Sequence, residues 1–200
     1  PLVARVRRMF DLDARPDQIN AVLGRDRRLA KLVAKRPGLR VPGAIDPFEA
    51  AVRALLGQQV SVAAATTLAG RFASQLGQPH ATAHEALHHR FPTPAEVVAA
   101  GVDRIAKLGL PGTRAAAIHA LASAIATDAL KLDGARELDA FVSELVELPG
   151  IGPWTAHYLA MRALHVPDAC PAADLGVQKA LGRGGAKAAE AHAEAWRPFR

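Results

Sequence analysis

The sequence predicts an all-α fold. Amphipathic patterns of helical period follow one another with short connections, helix-start devices recur, and no segment alternates convincingly at period two. Asp17 to Lys35 reads as two short helices broken around Gly24. Asp46-Pro47-Phe48-Glu49 has the form of a capping box with proline at the first helical position, and the helix it opens places Phe48, Val52, Leu55 and Leu56 on one face. Thr93-Pro94-Ala95-Glu96 repeats the device. Thr113 can cap a helix through Ala115, Ile118, Leu121 and Ile125. Asp133-Gly134 reads as a turn, after which Leu138, Phe141, Val142 and Leu145 mark another amphipathic helix. Pro153 to Leu164 is helical in pattern, as is the stretch after Asp174. The one weak strand-like run is "GLRVPG" at 38–43. Short connections predict neighbouring helices packed antiparallel or at steep angles.

Composition narrows the partners. Half of the 200 residues are apolar, so the chain is globular rather than disordered. Lys and Arg number 25 against 19 Asp and Glu, a net charge of +6. This balance favours an anionic partner, whether nucleic acid, a membrane surface or an acidic protein. No apolar run approaches the roughly 20 residues of a membrane span, and no signal peptide is visible. One cysteine, Cys170, excludes an internal disulfide framework and an all-cysteine cluster. A reducing compartment follows most simply, with Cys170 an inert small apolar residue. The start at Pro1 and the stop after "WRPFR" lead us to expect a fragment of a longer protein.

The richest stretch is "ELVELPGIGPWTAHYLAMRAL", Glu144 to Leu164. A helix should end near Val146 and another begin near Pro153. Gly150 and Gly152 permit backbone conformations closed to other residues, and they let another molecule approach the main chain. The first amides of the new helix lack helical partners and, with the helix dipole, suit an anion. Ile151 at the tip can anchor the turn in the core. A tight helix–helix turn with no ligand is the competing reading. Trp154 and Tyr158, spaced i, i+4, share a helix face and can stack on a base, or can be ordinary core. Asp174 follows Pro171-Ala172-Ala173 and precedes a helix. It is an N-cap on the plain reading, and a carboxylate kept ionised by dipole and amides on the functional one.

Hairpin, aromatic pair and aspartate, in that order, resemble the helix-hairpin-helix (HhH-GPD) DNA glycosylases, most of all the AlkA type of 3-methyladenine DNA glycosylase II. "PGLRVPG" (37–43), "DPFEAAVRALLGQQVSVAAATTL" (46–68), "FPTPAEV" (91–97), "LGLPGTRAAAIHALA" (108–122) and "ELPGIGPWTAHYLAMRAL" (147–164) carry the resemblance, which spans nearly the whole chain. It implies two helical lobes with the active-site cleft between them. Residues 1–45 would pack with the C-terminal lobe, 46–145 form the central bundle, and 146–200 carry the hairpin and the catalytic aspartate. It further implies a monofunctional base-excision enzyme that flips out and hydrolytically releases N-alkylated purines such as 3-methyladenine and 7-methylguanine. Asp174 would be catalytic. Trp154, Tyr158 and Leu175 would line the base pocket. Gly150, Ile151, Gly152, Pro153 and Thr155 would grip a DNA phosphate. Gln58 and Gln59 would reach the opposite strand, or bond within the protein.

Leu110 or Pro111 would wedge into the gap left by the flipped base, where relatives carry a bulkier residue than Gly112. No cofactor is required by this resemblance, though a structural Na or K ion on the carbonyls of Val146, Leu148 and Ile151 is implied. Bifunctional relatives place a Schiff-base lysine where Trp154 stands, so no lyase activity is expected. Double-stranded DNA is the implied partner, the protein a monomer in a bacterial cytoplasm at the nucleoid, with fusion to an Ada-like regulatory region a further expectation.

Leu175 stands where an aromatic is expected and Ala173 where an acid is, which puts the substrate range in question. Another pocket tryptophan of the family belongs to a C-terminal helix beyond this chain, and most of the small β-rich N-terminal domain is missing. The leading alternative is a non-catalytic helix-hairpin-helix DNA-binding module, in which Asp174 is only a cap. A glycosylase for oxidised or mismatched bases is disfavoured by the absent lysine and cluster cysteines. His84, His88 and His89 lack acidic or cysteine ligands at matching spacing and are read as exposed loop residues rather than a metal site.

Overall fold

The computed structural model describes residues 2–84, 87–132, 137–182 and 184–200. Among them are eleven α-helices, one 3-10 turn and no strand, only an isolated antiparallel bridge between Pro79 and His89. The helices are α1 (Leu2–Met9), α2 (Pro16–Leu23), α3 (Ala30–Lys35), α4 (Pro47–Leu56), α5 (Val62–Leu76), α6 (Pro94–Ala106), α7 (Gly112–Ala126), α8 (Leu138–Val146), α9 (Pro153–Arg162), α10 (Leu175–Leu181) and α11 (Gly185–Ala193). The chain divides into two compact units. One comprises Pro1–Pro47, Gly134–Val142 and Pro153–Arg200; the other comprises Phe48–Asp133 and Ser143–Gly152.

The unit holding α4 to α7 owes its core to the apolar faces legible in the sequence. Val52, Leu55 and Leu56 of α4, Phe72 of α5, Val97 and Ile105 of α6, and Ile118 and Leu121 of α7 are all buried. Each such side chain contributes about 1.5–3 kcal/mol of burial free energy. Thr93 caps α6 as expected. Its hydroxyl accepts from the Glu96 amide (3.3 Å) while the Glu96 carboxylate accepts from the Thr93 amide (2.8 Å). α5 lies outside the helices assigned from pattern. Its start is set by Ser61, whose Oγ accepts from the Ala64 amide at 3.2 Å. Thr113 does not cap α7. That helix starts one residue earlier, and the carbonyl of Pro111 accepts from the Arg114 and Ala115 amides, both at 3.0 Å. The ring of Pro111 already fixes φ at −57°, so the turn is set without a hydroxyl cap.

The other unit contains α1–α3, the start of α8, and α9–α11. Phe141, Leu159, Ala156 and Ala160 are fully buried there, and a second cluster gathers Cys170, Ala172, Ala189, Ala193 and Trp196 against Leu23 and Leu29. Residues 38–43 form no strand. Their polar groups pair with the end of α1 and the turn after it instead: Val41 N–H donates to the Asp11 carboxylate (3.2 Å), Gly43 N–H to Met9 O (3.0 Å), and the Arg40 guanidinium to Asp11 O. With those partners the backbone needs no neighbouring strand. The turn expected at Asp133-Gly134 lies outside the described residues. No helix among the described residues is long and apolar enough to cross a membrane.

Candidate active site

The hairpin forms where the sequence places it. α8 ends at Val146, the Leu148 amide donates to Leu145 O (3.1 Å), and the Ile151 amide donates to Leu148 O (3.2 Å). Gly150 lies at φ +76°, and a Cβ there would sit 2.7 Å from the Cβ of Ala117, a residue buried on α7. Glycine is therefore required at 150 on two counts, backbone and space. Gly152 differs. No heavy atom lies within 4 Å of where its Cβ would be, and it is exposed together with Pro153. Ile151 is buried and anchors the tip. Gln58 is tied to the hairpin from within: its Nε2 donates to Gly150 O at 3.2 Å, and its own carbonyl accepts from the Arg114 guanidinium at 2.7 Å. Of the two alternatives for Gln58, the bond within the protein is present. Gln59 is exposed at φ +55° beside it.

On α9, Trp154 and Tyr158 stack with centroids 5.3 Å apart and ring planes 19° from parallel. The rings are in mutual contact, so neither can take a third ring on its inner face. The Arg162 guanidinium sits 6.0 Å from the centroid of Tyr158, extending the ladder to i+8. Pattern reading missed Arg162, although the same spacing rule finds it. Thr155 is 2% exposed and so does not present its hydroxyl at the surface for a phosphate.

Asp174 is the N-cap of α10. Its Oδ1 accepts from the Gly176 amide (2.7 Å) and the Val177 amide (3.2 Å). The capping reading and the functional one are compatible, because Oδ2 does no capping. Instead Oδ2 accepts the indole N–H of Trp154 at 3.2 Å. The structure thus joins Trp154, Tyr158 and Asp174 through one stack and one hydrogen bond. Leu175 is not part of that assembly. It is 71% exposed and lines an open depression of about 400 Å³ with Gln178, Lys179, Gly182, Gly184 and Gly185. Cys170 is buried, and burial raises its thiol pKa, consistent with an unreactive residue.

In the 108–113 loop, Leu110 is buried while Pro111 and Gly112 are exposed. A side chain packed in the core is not free to insert, whereas Gly109, Pro111, Gly112 and Thr113 are all exposed. Of the three carbonyls considered for a cation, that of Leu148 accepts the Ile151 amide and retains a second lone pair, while Val146 lies at the end of α8. His84, His88 and His89 are all exposed, and no group of three or more His, Cys, Asp or Glu among the described residues is placed to hold a metal.

This helical fold, with its glycine hairpin and an aspartate that caps a helix beside an indole, belongs to a class of DNA repair proteins. Residues 52–197 match the model of the HhH-GPD superfamily of base excision DNA repair proteins, and residues 1–46 match the AlkA N-terminal domain. The chain belongs to the HhH-GPD superfamily. It is 43% identical over 201 residues to a probable bifunctional transcriptional activator/DNA repair enzyme AlkA of Mycobacterium tuberculosis, covering 98% of this chain and 40% of that protein. To DNA-3-methyladenine glycosylase 2 of Escherichia coli it is 36% identical, covering 99% of this chain and 67% of the relative. The fold superimposes on the 3-methyladenine DNA glycosylase of Archaeoglobus fulgidus with a TM-score of 0.77 at 25% identity, over 96% of this chain and 68% of that one. The chain thus spans about two fifths of the mycobacterial relative's length.

Proposed function

We propose that the protein is a monofunctional DNA glycosylase that releases N-alkylated purines, of the 3-methyladenine and 7-methylguanine type, from double-stranded DNA. The observation that carries this reading is the Asp174 carboxylate, held by three N–H donors and joined to a stacked aromatic pair. An N-alkylated purine is cationic. When its C1′–N bond breaks, the electron pair stays on the base nitrogen and neutralises it, and positive charge passes to the sugar. An anionic, preoriented oxygen stabilises that charge and orients the water that adds to C1′ and passes its proton to the carboxylate. Aromatic faces attract the cationic base before it leaves. Helix-hairpin amides around Gly152 suit a backbone phosphate. Trp154 offers no amine, so the base leaves without an imine and the sugar stays in an unbroken strand as an abasic site.

Further parts of the reading concern context. The hairpin's neutral carbonyl oxygens suit a structural monovalent cation, which would hold the turn without entering the chemistry. The name of the mycobacterial relative, with its pairing of transcriptional activator and repair enzyme, supports an Ada-like regulatory fusion. The protein would act as a monomer on chromosomal DNA.

The test is base release from methylated duplex DNA by the parent and by Asp174→Asn, with and without alkali to cleave abasic sites. The parent should free methylpurine and give strand breaks only after alkali. The variant should be slower by about a hundredfold or more, on the scale of one preorganised electrostatic group. A parent that binds DNA and releases no base would replace this reading with the DNA-binding module.

A further inference from the structure

We infer that Trp154 is a positioning residue, whose indole N–H locks the Asp174 carboxylate so that Oδ2 alone faces the reaction. The inference rests on the glycosylase reading above and divides the labour between the two oxygens of one carboxylate. Oδ1 is saturated by the Gly176 and Val177 amides at 2.7 and 3.2 Å and serves the helix start. Among the described residues Oδ2 has one partner, the Trp154 N–H at 3.2 Å, and keeps a lone pair for the sugar. Two amides on a single oxygen leave the carboxyl plane free to rock about the Cβ–Cγ bond, whose torsional well is broad. A third donor on the other oxygen removes that freedom.

The donor is itself fixed. Trp154 cannot turn its ring without breaking the stack on Tyr158, at 5.3 Å and 19°, and Tyr158 is held in turn by Arg162 at 6.0 Å. The i, i+4, i+8 ladder of α9 therefore sets the direction of one N–H. An indole nitrogen is a donor only, so Oδ2 is the acceptor in this contact. On this account the ladder serves the carboxylate as well as the base. A residue serving only as a pocket wall would need the ring and not the nitrogen.

The experiment compares single-turnover methylpurine release by the parent, Trp154→Phe, Asp174→Asn and the double variant. It also measures binding to duplexes holding a cationic pyrrolidine or a neutral tetrahydrofuran abasic analogue. We expect Trp154→Phe to lose about tenfold or more in rate and in affinity for the cationic analogue, the usual scale for a hydrogen bond to a charged group. Affinity for the neutral analogue should stay within about twofold. In the Asp174→Asn background the same change should cost no more than about threefold, because a residue that acts through Asp174 has nothing left to position. Equal losses in both backgrounds, or equal losses with both analogues, would overturn the inference and leave Trp154 a pocket wall. Should Trp154→Phe fold poorly, benzothienylalanine at position 154 replaces only the N–H by sulfur and is judged by the same criteria. A parent that releases no base overturns the glycosylase reading and this inference with it. An active parent matched by an equally active Trp154→Phe overturns this inference alone.

Discussion

Gly150 and Gly152 stand two residues apart in one hairpin, yet alanine at each should fail in a different way. At Gly150 a methyl group meets two obstacles. The backbone is at φ +76°, where an L-residue costs about 1–2 kcal/mol. The new Cβ would also lie 2.7 Å from the Cβ of Ala117, which is 1% exposed on α7 and cannot retreat without moving its helix. Overpacking of that kind costs about 1–3 kcal/mol. Together Gly150→Ala should lose roughly 2–5 kcal/mol, a large share of the 5–15 kcal/mol typical of a folded chain. For a protein of this size that lowers Tm by on the order of 10 °C. The loosened hairpin also puts the Gln58 bond to Gly150 O at risk.

At Gly152 neither obstacle exists, since its backbone is outside the left-handed region and the space is open. Gly152→Ala should leave stability within about 0.5 kcal/mol of the parent, as surface changes usually do. Its methyl would instead stand where the proposed phosphate approaches the amides, weakening duplex binding by about tenfold, the loss of one charge-assisted hydrogen bond. Calorimetric melting and a DNA titration at fixed salt, run on both variants, separate the two. The reasoning is refuted if Gly150→Ala melts within about 2 °C of the parent, or if Gly152→Ala is the less stable of the pair.

Two further predictions concern folding. The Asp26 carboxylate accepts the Trp196 indole N–H (2.9 Å), the amides of Arg28 and Leu29, and His192 Nε2 (3.0 Å). Its pKa falls from 3.8 to about 2, first through the Trp196 bond. A folded-state pKa below the unfolded one stabilises the fold above the unfolded value and loses that contribution as pH falls through the folded one. The tie should therefore hold fully above pH 3.8 and loosen as pH drops toward about 2, seen as a change in Trp196 fluorescence in a Trp154→Phe background. Asp26→Asn should abolish that acid transition, and an unchanged transition would show that another group controls it. Separately, Thr93→Ala removes one half of the α6 capping box and should cost about 1 kcal/mol in urea unfolding with an unchanged m-value. A loss below about 0.3 kcal/mol would show the cap to be redundant with Pro94 at the first helical position.

What could be read from the sequence was whatever depends on neighbours along the chain. Thr93 to Glu96, the helix face of α4 and the break from α8 to α9 are all set by residues close together in the chain, where spacing alone fixes geometry. Gly150 was legible as special, but the second reason for it, Ala117, lies 33 residues away on another helix. Leu110 shows the same limit: nothing in "LGLPGT" tells which of Leu110 and Pro111 is packed, and the structure buries the first. The tie between Asp26, His192 and Trp196 spans 166 and 170 residues and has no local signature. Asp174 is the instructive case. Sequence offered a cap or a reactive carboxylate as rivals, since one side chain was being given one role. A carboxylate has two oxygens, and the structure gives Oδ1 to Gly176 and Val177 and Oδ2 to Trp154. Capping fixes Oδ1, and the Trp154 N–H on Oδ2 removes the rocking that capping alone allows. The helix start would be part of the catalytic apparatus because the amides that need a partner and the sugar that needs an anion call on opposite sides of the same group.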